Sequence, residues 1–337
     1  MDFVSRLESF LKLKNHLQNL NEEELTNLKH KAKIQNPWFT FENIDLAFKG
    51  ILRMLDEGDL LNWTSGYSFK NTSEKNIGVI AAGNIPMVGF HDALCVLLSG
   101  HCLHIKLSHQ DDVLLPYLFN ILIQIDQEWK GKIMLVDKLK NIDAAVATGS
   151  DNSARYFEYY FKHIPSLIRK NRTSVAIING EESQEDLTNL GDDIYQYFGF
   201  GCRNVAKVLL PRDFQITHLL DHLNHWTFLG DNHKFVNNYH YQRAIFSLGG
   251  IPFLDNGFSI FSQNKNLVSP TSVVYYDYYD NLTEVTGYLR QNSEKIQCVV
   301  ANKKVALDNS IPFGKTQMPA VWEYADNVDT LKFLLDV

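Results

Sequence analysis

From Asn76 onward the chain alternates short, almost wholly apolar runs with longer amphipathic ones: 77–82, 91–99, 101–107, 114–129, 132–136 and 144–148. Alternation of strand and helix makes consecutive strands run parallel, because each helix carries the chain back across a face of the sheet. A parallel sheet is covered on both faces, so its strands are apolar throughout, as Ile77-Gly78-Val79-Ile80-Ala81-Ala82 is. A second alternating region opens with Ser174–Ile178, holds Lys207–Leu210 and Val273–Tyr276, and ends in Gln297–Ala301. A length of 337 residues accommodates two such cores at roughly 150 residues each. The expected fold class is α/β with two doubly wound domains.

The residues before Asn76 read as helical. Phe3, Leu7, Phe10 and Leu11 fall at helical spacing, and Asn21 stands before Glu22-Glu23-Glu24 as a cap. A helix is expected from Phe41 to Glu57, with Ile44, Phe48, Ile51, Leu52 and Leu55 on one side, stopping at Gly58. Trp63 to Lys75 turns to Thr, Ser, Gly, Asn and Lys and reads as a linker. There is no internal repeat.

Composition excludes several function classes. Thirty-two basic against 39 acidic residues give a net charge of −7, which argues against a nucleic-acid footprint spread over the surface. The longest apolar stretch, Val113 to Ile125, is interrupted by Pro116, Asn120 and Gln124 and falls short of the ~20 residues of a membrane span. The start, Met1 to Glu8, carries acids where a signal peptide carries bases, so a cytoplasmic location is expected. Cys95, Cys102, Cys202 and Cys298 lie apart with no Cys-x-x-Cys, which points to neither disulfides nor a thiolate zinc site. His218, His222 and His225 share one face of an expected helix, and His101-x-x-His104 adds a pair, yet three ligands on one helix surround an ion poorly. No metal is expected, and the histidines read as a polar helix face, with His101 or His104 pointing out of the sheet.

Open parallel sheets place ligands at the carboxyl ends of their strands. The first strand runs into Gly83-Asn84-Ile85-Pro86, where an amide beside a helix start would suit an anion or a developing oxyanion; Gly-Asn-x-Pro also suits an ordinary turn. The next ends on Lys106, followed by Ser108 and His109, where a lysine can reach a ribose hydroxyl or a phosphate or simply be solvated. The third delivers Gly149-Ser150-Asp151-Asn152 into a helix, with glycine allowing a phosphate to approach and the polar residues capping. Cys202 lies in Gly199-Phe200-Gly201-Cys202-Arg203-Asn204, where glycines give access and an arginine favours the thiolate, as a nucleophile requires. Cys95, Cys102 and Cys298 sit in apolar runs and read as core.

These segments occur in the order of the aldehyde dehydrogenase superfamily. Ile80-Ala81-Ala82-Gly83-Asn84-Ile85-Pro86 resembles its Ile-Ala-Pro-Trp-Asn-Phe-Pro, Lys106-Leu107-Ser108-His109 its Lys-Pro-Ser-Glu, Ala147-Thr148-Gly149-Ser150 its Phe-Thr-Gly-Ser, and Gly199-Phe200-Gly201-Cys202 its Gly-Gln-x-Cys. Within it the chain is most similar to short LuxC-type acyl-CoA reductases, a likeness that Asn36-Pro37-Trp38-Phe39-Thr40, Asn238–Phe246 and Phe313–Pro319 also carry. It implies a helical N-terminal segment (1–72), a nicotinamide-cofactor domain (73–175), a catalytic domain (176–310) and a C-terminal segment (311–337) returning to the cofactor domain. It further implies that Cys202 attacks an acyl-CoA or other acyl thioester. Asn84 and the Cys202 backbone N–H would hold the oxyanion, and Lys106, Ser108, His109, Gly149 and Ser150 would bind the cofactor.

The chain departs from the superfamily in three places. Sliding the Glu-Leu-Gly-Gly-Lys base segment onto Leu167–Arg172 puts Arg169 at the glutamate, which favours reduction of a thioester over hydrolysis; the cluster Arg169, Lys170 and Arg172 would be surface or a site for coenzyme A phosphates. His109 replaces an acid that would repel a 2′-phosphate, favouring NADPH over NADH. The Glu-x-Phe-Gly-Pro segment matches Asn266–Pro270 only loosely. Of the aromatic residues Phe198, Phe200, Trp226, Phe228 and Tyr239, most are expected in the core rather than lining an acyl tunnel. An acyl-phosphate reductase and a catalytically silent nucleotide-binding protein are the competing functions; an acyl-donor protein partner and homo-oligomers are left open.

Overall fold

The structure is a computed structural model that describes residues 1–69, 73–305, 307 and 309–337. Residues 70–72 of the expected linker, and 306 and 308 of the expected catalytic region, lie outside the described residues. The chain forms two units, Met1–Asn171 with Pro319–Val337, and Arg172–Met318.

In the first unit, helices α1 (Phe3–Gln18), α2 (Glu22–Gln35), α3 (Phe41–Met54) and α4 (Glu57–Ser65) start at Asp2, Asn21, Thr40 and Asp56, each of whose side chains accepts a backbone N–H of the first turn. The helix expected to stop at Gly58 in fact ends at Met54. Asp56 then accepts from the N–H groups of Gly58 and Asp59 and begins a new helix, so Gly58 lies in a first turn. Trp63, assigned to the linker from composition, is consequently a core residue of α4, 5% exposed, and its indole donates to Tyr324 Oη at 2.7 Å.

Strands β1 (Asn76–Ile80), β2 (Cys102–Lys106), β3 (Ile133–Leu135), β4 (Ala144–Thr148) and β5 (Ser166–Arg169) form a parallel sheet in the order β3-β2-β1-β4-β5. Helices α5 (Phe90–Ser99), α6 (Leu114–Ile125) and α7 (Asp151–Tyr160) connect them. The C-terminal helix Thr330–Asp336 packs on α5. His101 is buried rather than directed to solvent: its Nδ1 accepts from the Lys75 N–H at 3.3 Å and its Nε2 lies 2.8 Å from the Leu334 carbonyl, a pairing that suits the neutral ring.

The second unit is built on β6 (Thr173–Ile177), β7 (Val205–Pro211), β8 (Leu254–Asp255), β9 (Ile260–Gln263), β10 (Val273–Tyr279) and β11 (Ile296–Ala301), in the order β11-β6-β7-β10-β9-β8. Its helices are α8 (Gln184–Tyr195), α9 (Ile216–Asp221), α10 (His233–Leu248) and α11 (Leu282–Gln291). The sheet is parallel except at β8, which pairs antiparallel with β9. The three histidines do not share one helix. Because α9 ends at Asp221, His222 becomes its C-cap and His225 belongs to the following 3-10 turn. Among the described residues, no group of three or more His, Cys, Asp or Glu is arranged to hold a metal ion.

Candidate functional site

Two loops at strand ends carry the candidate residues, one in each unit. In the first unit β1 leads through Gly83-Asn84-Ile85-Pro86-Met87 to α5, and Asn84 is exposed. Packing fixes the loop at its start: a β-carbon on Gly83 would stand 2.6 Å from both Cβ and Oγ of Ser108, so the ends of β1 and β2 touch where glycine leaves room. Farther along, Met87 holds the left-handed conformation (φ 56°), which side chains rarely adopt, and its N–H donates to Asp111 Oδ2 at 2.6 Å. Asp111 is 2% exposed, and burial pushes its carboxyl up to about 7 against the pull of the Met87 and Leu114 N–H groups.

Around this loop, Lys106 is exposed at the carboxyl end of β2, in register with Ile80 of β1. Gly149 and Ser150 follow β4, the other neighbour of β1. Ser150 caps α7, its Oγ accepting from the Ser153 N–H at 3.3 Å. The open side of Gly149 does not face a ligand. A β-carbon there would meet Phe157 and Ser153 at 2.8 Å, so this glycine serves the packing of α7 against its own strand. An exposed ammonium, a ten-residue helix N-terminus and the carboxyl ends of β1, β2 and β4 thus lie along one edge of a parallel sheet. That donor set complements a phosphate-bearing dinucleotide. The acid missing at His109 has a near neighbour: Gln35 Nε2 donates to the His109 carbonyl at 2.8 Å and to Asp112 Oδ2 at 3.4 Å.

Arg169 is neither surface nor available to a phosphate. It is 6% exposed, its Nη1 donates to both carboxylate oxygens of Asp92 at 2.6 and 2.7 Å, and Nη2 donates to Thr330 Oγ1 at 2.7 Å. It ties β5 to α5 and to the C-terminal helix. Lys170 is exposed and pairs with Glu158, and Arg172 donates to the Ser293 and Ile296 carbonyls.

In the second unit the Cys202 turn hangs on one neutral side chain that the sequence reading passed over. Asn204, 3% exposed, accepts from the Gly201 N–H at 2.8 Å; its amide donates to the carbonyls of Gln196 (2.9 Å), Asp193 (3.1 Å) and Ile194 (3.3 Å). The backbone before it is strained, with Tyr197 and Phe198 at φ 53° and 58° ahead of Gly199 at 77°. Ser174 Oγ donates to the Cys202 carbonyl and accepts the Cys298 N–H, both at 3.1 Å. A β-carbon on Gly201 would approach Asn204 Oδ1 to 2.9 Å. Cys202 is exposed, whereas Cys95, Cys102 and Cys298 are buried.

The segment 314–317 closes around this turn. Asp193 accepts the N–H groups of Gly314 (2.7 Å) and Thr316 (3.1 Å), and Arg203 Nε donates to the Thr316 carbonyl at 2.5 Å. Burial raises the Asp193 carboxyl to about 6 against those bonds. Behind the turn, Phe198, Gly199, Asn204, Phe235 and Pro270 border a small cavity of about 80 Å³. Phe198 and Tyr239 are core residues, and Phe228 is exposed.

The fold is that of aldehyde dehydrogenases. The indole-3-acetaldehyde dehydrogenase of P. syringae in complex with NAD+ and IAA matches with a TM-score of 0.66 at 13% identity, over 91% of this chain and 74% of that one. An aldehyde dehydrogenase of Mycobacterium tuberculosis complexed with NAD+ (0.65, 13%, 89% and 73%) and an NAD-dependent one of Sinorhizobium meliloti (0.67, 10%, 92% and 72%) are similar to the same extent. Within that fold, the family model of the LuxC acyl-CoA reductases matches residues 3–219, and the chain belongs to that family. No curated protein matches it. Among the described residues, no helix is long and apolar enough to cross a membrane.

Proposed function

We propose that the protein reduces an acyl thioester, acyl-CoA in the first instance, to an aldehyde through a thioester on Cys202. The observation that carries this reading is the exposed Cys202 on a turn whose backbone is held by Asn204 and Ser174, in a chain of the LuxC family. Cys202 Sγ attacks the acyl carbonyl, the carbon–sulfur bond to coenzyme A breaks, and the coenzyme leaves as its thiol with the cysteine proton. Asn84 and the Cys202 backbone N–H are assigned to the oxyanion that forms during this transfer. Lys106, Ser108, His109 and Ser150 would hold a nicotinamide cofactor, which when bound supplies the hydride, while Gly149 seats α7 against its strand rather than facing the cofactor.

Arg169, locked to Asp92 and Thr330, offers no general base for hydrolysis. The histidine at 109 favours NADPH, while Asp112 nearby holds that preference to within about tenfold, because exposed charges are screened. The test is which carbonyl donor supports NAD(P)H consumption by the purified protein. Consumption with acyl-CoA and not with acyl phosphate, faster with NADPH and faster still in Asp112→Asn, supports the reading. Consumption with acyl phosphate alone replaces acyl-CoA as donor, and no consumption with either points to a silent nucleotide-binding protein.

A further inference from the structure

Gln317 lies in the segment that closes around the Cys202 turn and takes no part in holding it there. That work is done by Asp193, through the N–H groups of Gly314 and Thr316, and by Arg203, through the Thr316 carbonyl. Yet Gln317 is 7% exposed, and its amide end comes against the turn itself. Oε1 and Nε2 stand 3.6 and 3.7 Å from where a β-carbon on Gly201 would be, one residue before the nucleophile. Nε2 is a buried donor with no hydrogen-bond partner among the described residues. Leaving such a donor unmet costs on the order of 1–3 kcal/mol, so a glutamine retained there needs a partner that arrives with a ligand.

Gly201 and the Cys202 carbonyl are already committed, although Thr316 Oγ1 beside Gln317 is also buried with no hydrogen-bond partner among the described residues. The Gly201 N–H and carbonyl bond to Asn204, and the Cys202 carbonyl accepts from Ser174. What the turn lacks is an acceptor facing Nε2. An acyl group on Cys202 brings one at the nucleophile, its carbonyl oxygen, whereas a thiol and an alkyl chain bring none and the amide carbonyls of coenzyme A lie farther along its arm.

We propose that Gln317 is a substrate-holding residue, its side-chain amide donating a hydrogen bond to the carbonyl oxygen of the acyl group that Cys202 receives. This rests on the thioester reading above. The bond forms as the Cys202 sulfur–carbon bond forms and the coenzyme A sulfur–carbon bond breaks; Gln317 itself neither gains nor loses a proton. A donor whose acceptor appears only with the acyl group accelerates acylation without changing how Cys202 meets a small alkylating reagent.

The experiment compares wild type, Gln317→Met and Gln317→Glu. It measures covalent labelling by hexadecanoyl-CoA and by acetyl-CoA without cofactor, alkylation of Cys202 by iodoacetamide, and thermal stability. Gln317→Met keeps length and removes both donors. It should acylate at least about tenfold more slowly with both thioesters, alkylate at the wild-type rate and melt no lower than wild type, since an unmet buried donor is gone. A wild-type acylation rate in Gln317→Met overturns the proposal, as does a loss of alkylation and melting temperature in step with acylation, which would make Gln317 a packing residue. Wild type that alkylates but never acylates overturns the thioester reading itself, and this proposal with it.

Discussion

The two loops that carry the candidate chemistry solve the same problem with different anchors. Each is a strained turn with left-handed residues that are not glycine: Met87 between β1 and α5 in the first unit, Tyr197 and Phe198 between α8 and β7 in the second. The loop bearing Asn84 is tied at Met87 by a carboxylate, Asp111, buried enough to titrate near neutral pH. The turn bearing Cys202 is tied by an amide, Asn204, which makes four bonds and has no proton to lose. The amide anchor has no proton of its own to lose, so pH reaches the nucleophile's turn through Asp193 and the segment it holds, whereas the carboxylate anchor couples its loop to pH directly.

The largest way to break this comparison is Asn204→Ala. It leaves the Gly201 N–H and three carbonyls to find new partners in a buried place, and should cost about 3 kcal/mol of stability and most of the acylation of Cys202, at every pH. Denaturant unfolding and thioester labelling check both. Asn204→Asp sharpens the contrast, since it turns the second anchor into the kind of the first and adds a pH dependence of acylation beyond that of the Cys202 thiol itself.

Asp111→Asn should do the reverse. The unfolded carboxyl titrates near 4 and the folded one near 7, so between those values the folded state binds the extra proton. Stability contributed by this group therefore falls as pH rises from about 4 to about 7 and is level above. Asp111→Asn keeps an acceptor for the Met87 N–H and removes that slope. Its stability should gain on wild type across this window and hold the gain above it, by roughly 4 kcal/mol at most. A difference that is constant with pH would mean Asp111 does not titrate there; Asp193, raised in the same direction, cancels because both proteins carry it.

Lys106→Ala has the smallest expected effect. This exposed side chain should raise the KM for the nicotinamide cofactor about tenfold, with kcat and melting temperature close to wild type.

Much of this was legible in the sequence, and what was not has physical reasons. Apolar runs marked β1, β2, β3, β4, β6, β7, β10 and β11 to within a few residues, because strands buried on both faces have almost no polar choice. The short strands β5, β8 and β9 carried too little of that signal. Arg169 read as part of a basic surface cluster because its neighbours Lys170 and Arg172 are exposed or half-buried, while its true partner, Asp92, lies 77 residues away. Exposed Cys202 among three buried cysteines followed from glycine and charge beside it. Asn204 gave no such signal: it looks like any turn residue until the carbonyls of Asp193, Ile194 and Gln196 are seen to converge on it. Nor does the composition of Tyr197-Phe198 announce a left-handed turn, since aromatic residues rarely adopt one.

The most direct test of the central claim is intact-mass and radiolabel detection of an acyl group on the purified protein after exposure to a long-chain acyl-CoA without cofactor, for wild type and Cys202→Ser side by side. The predicted result is label on wild type alone, released as aldehyde when NADPH is added. Label that never appears, or that persists equally in Cys202→Ser, would contradict it.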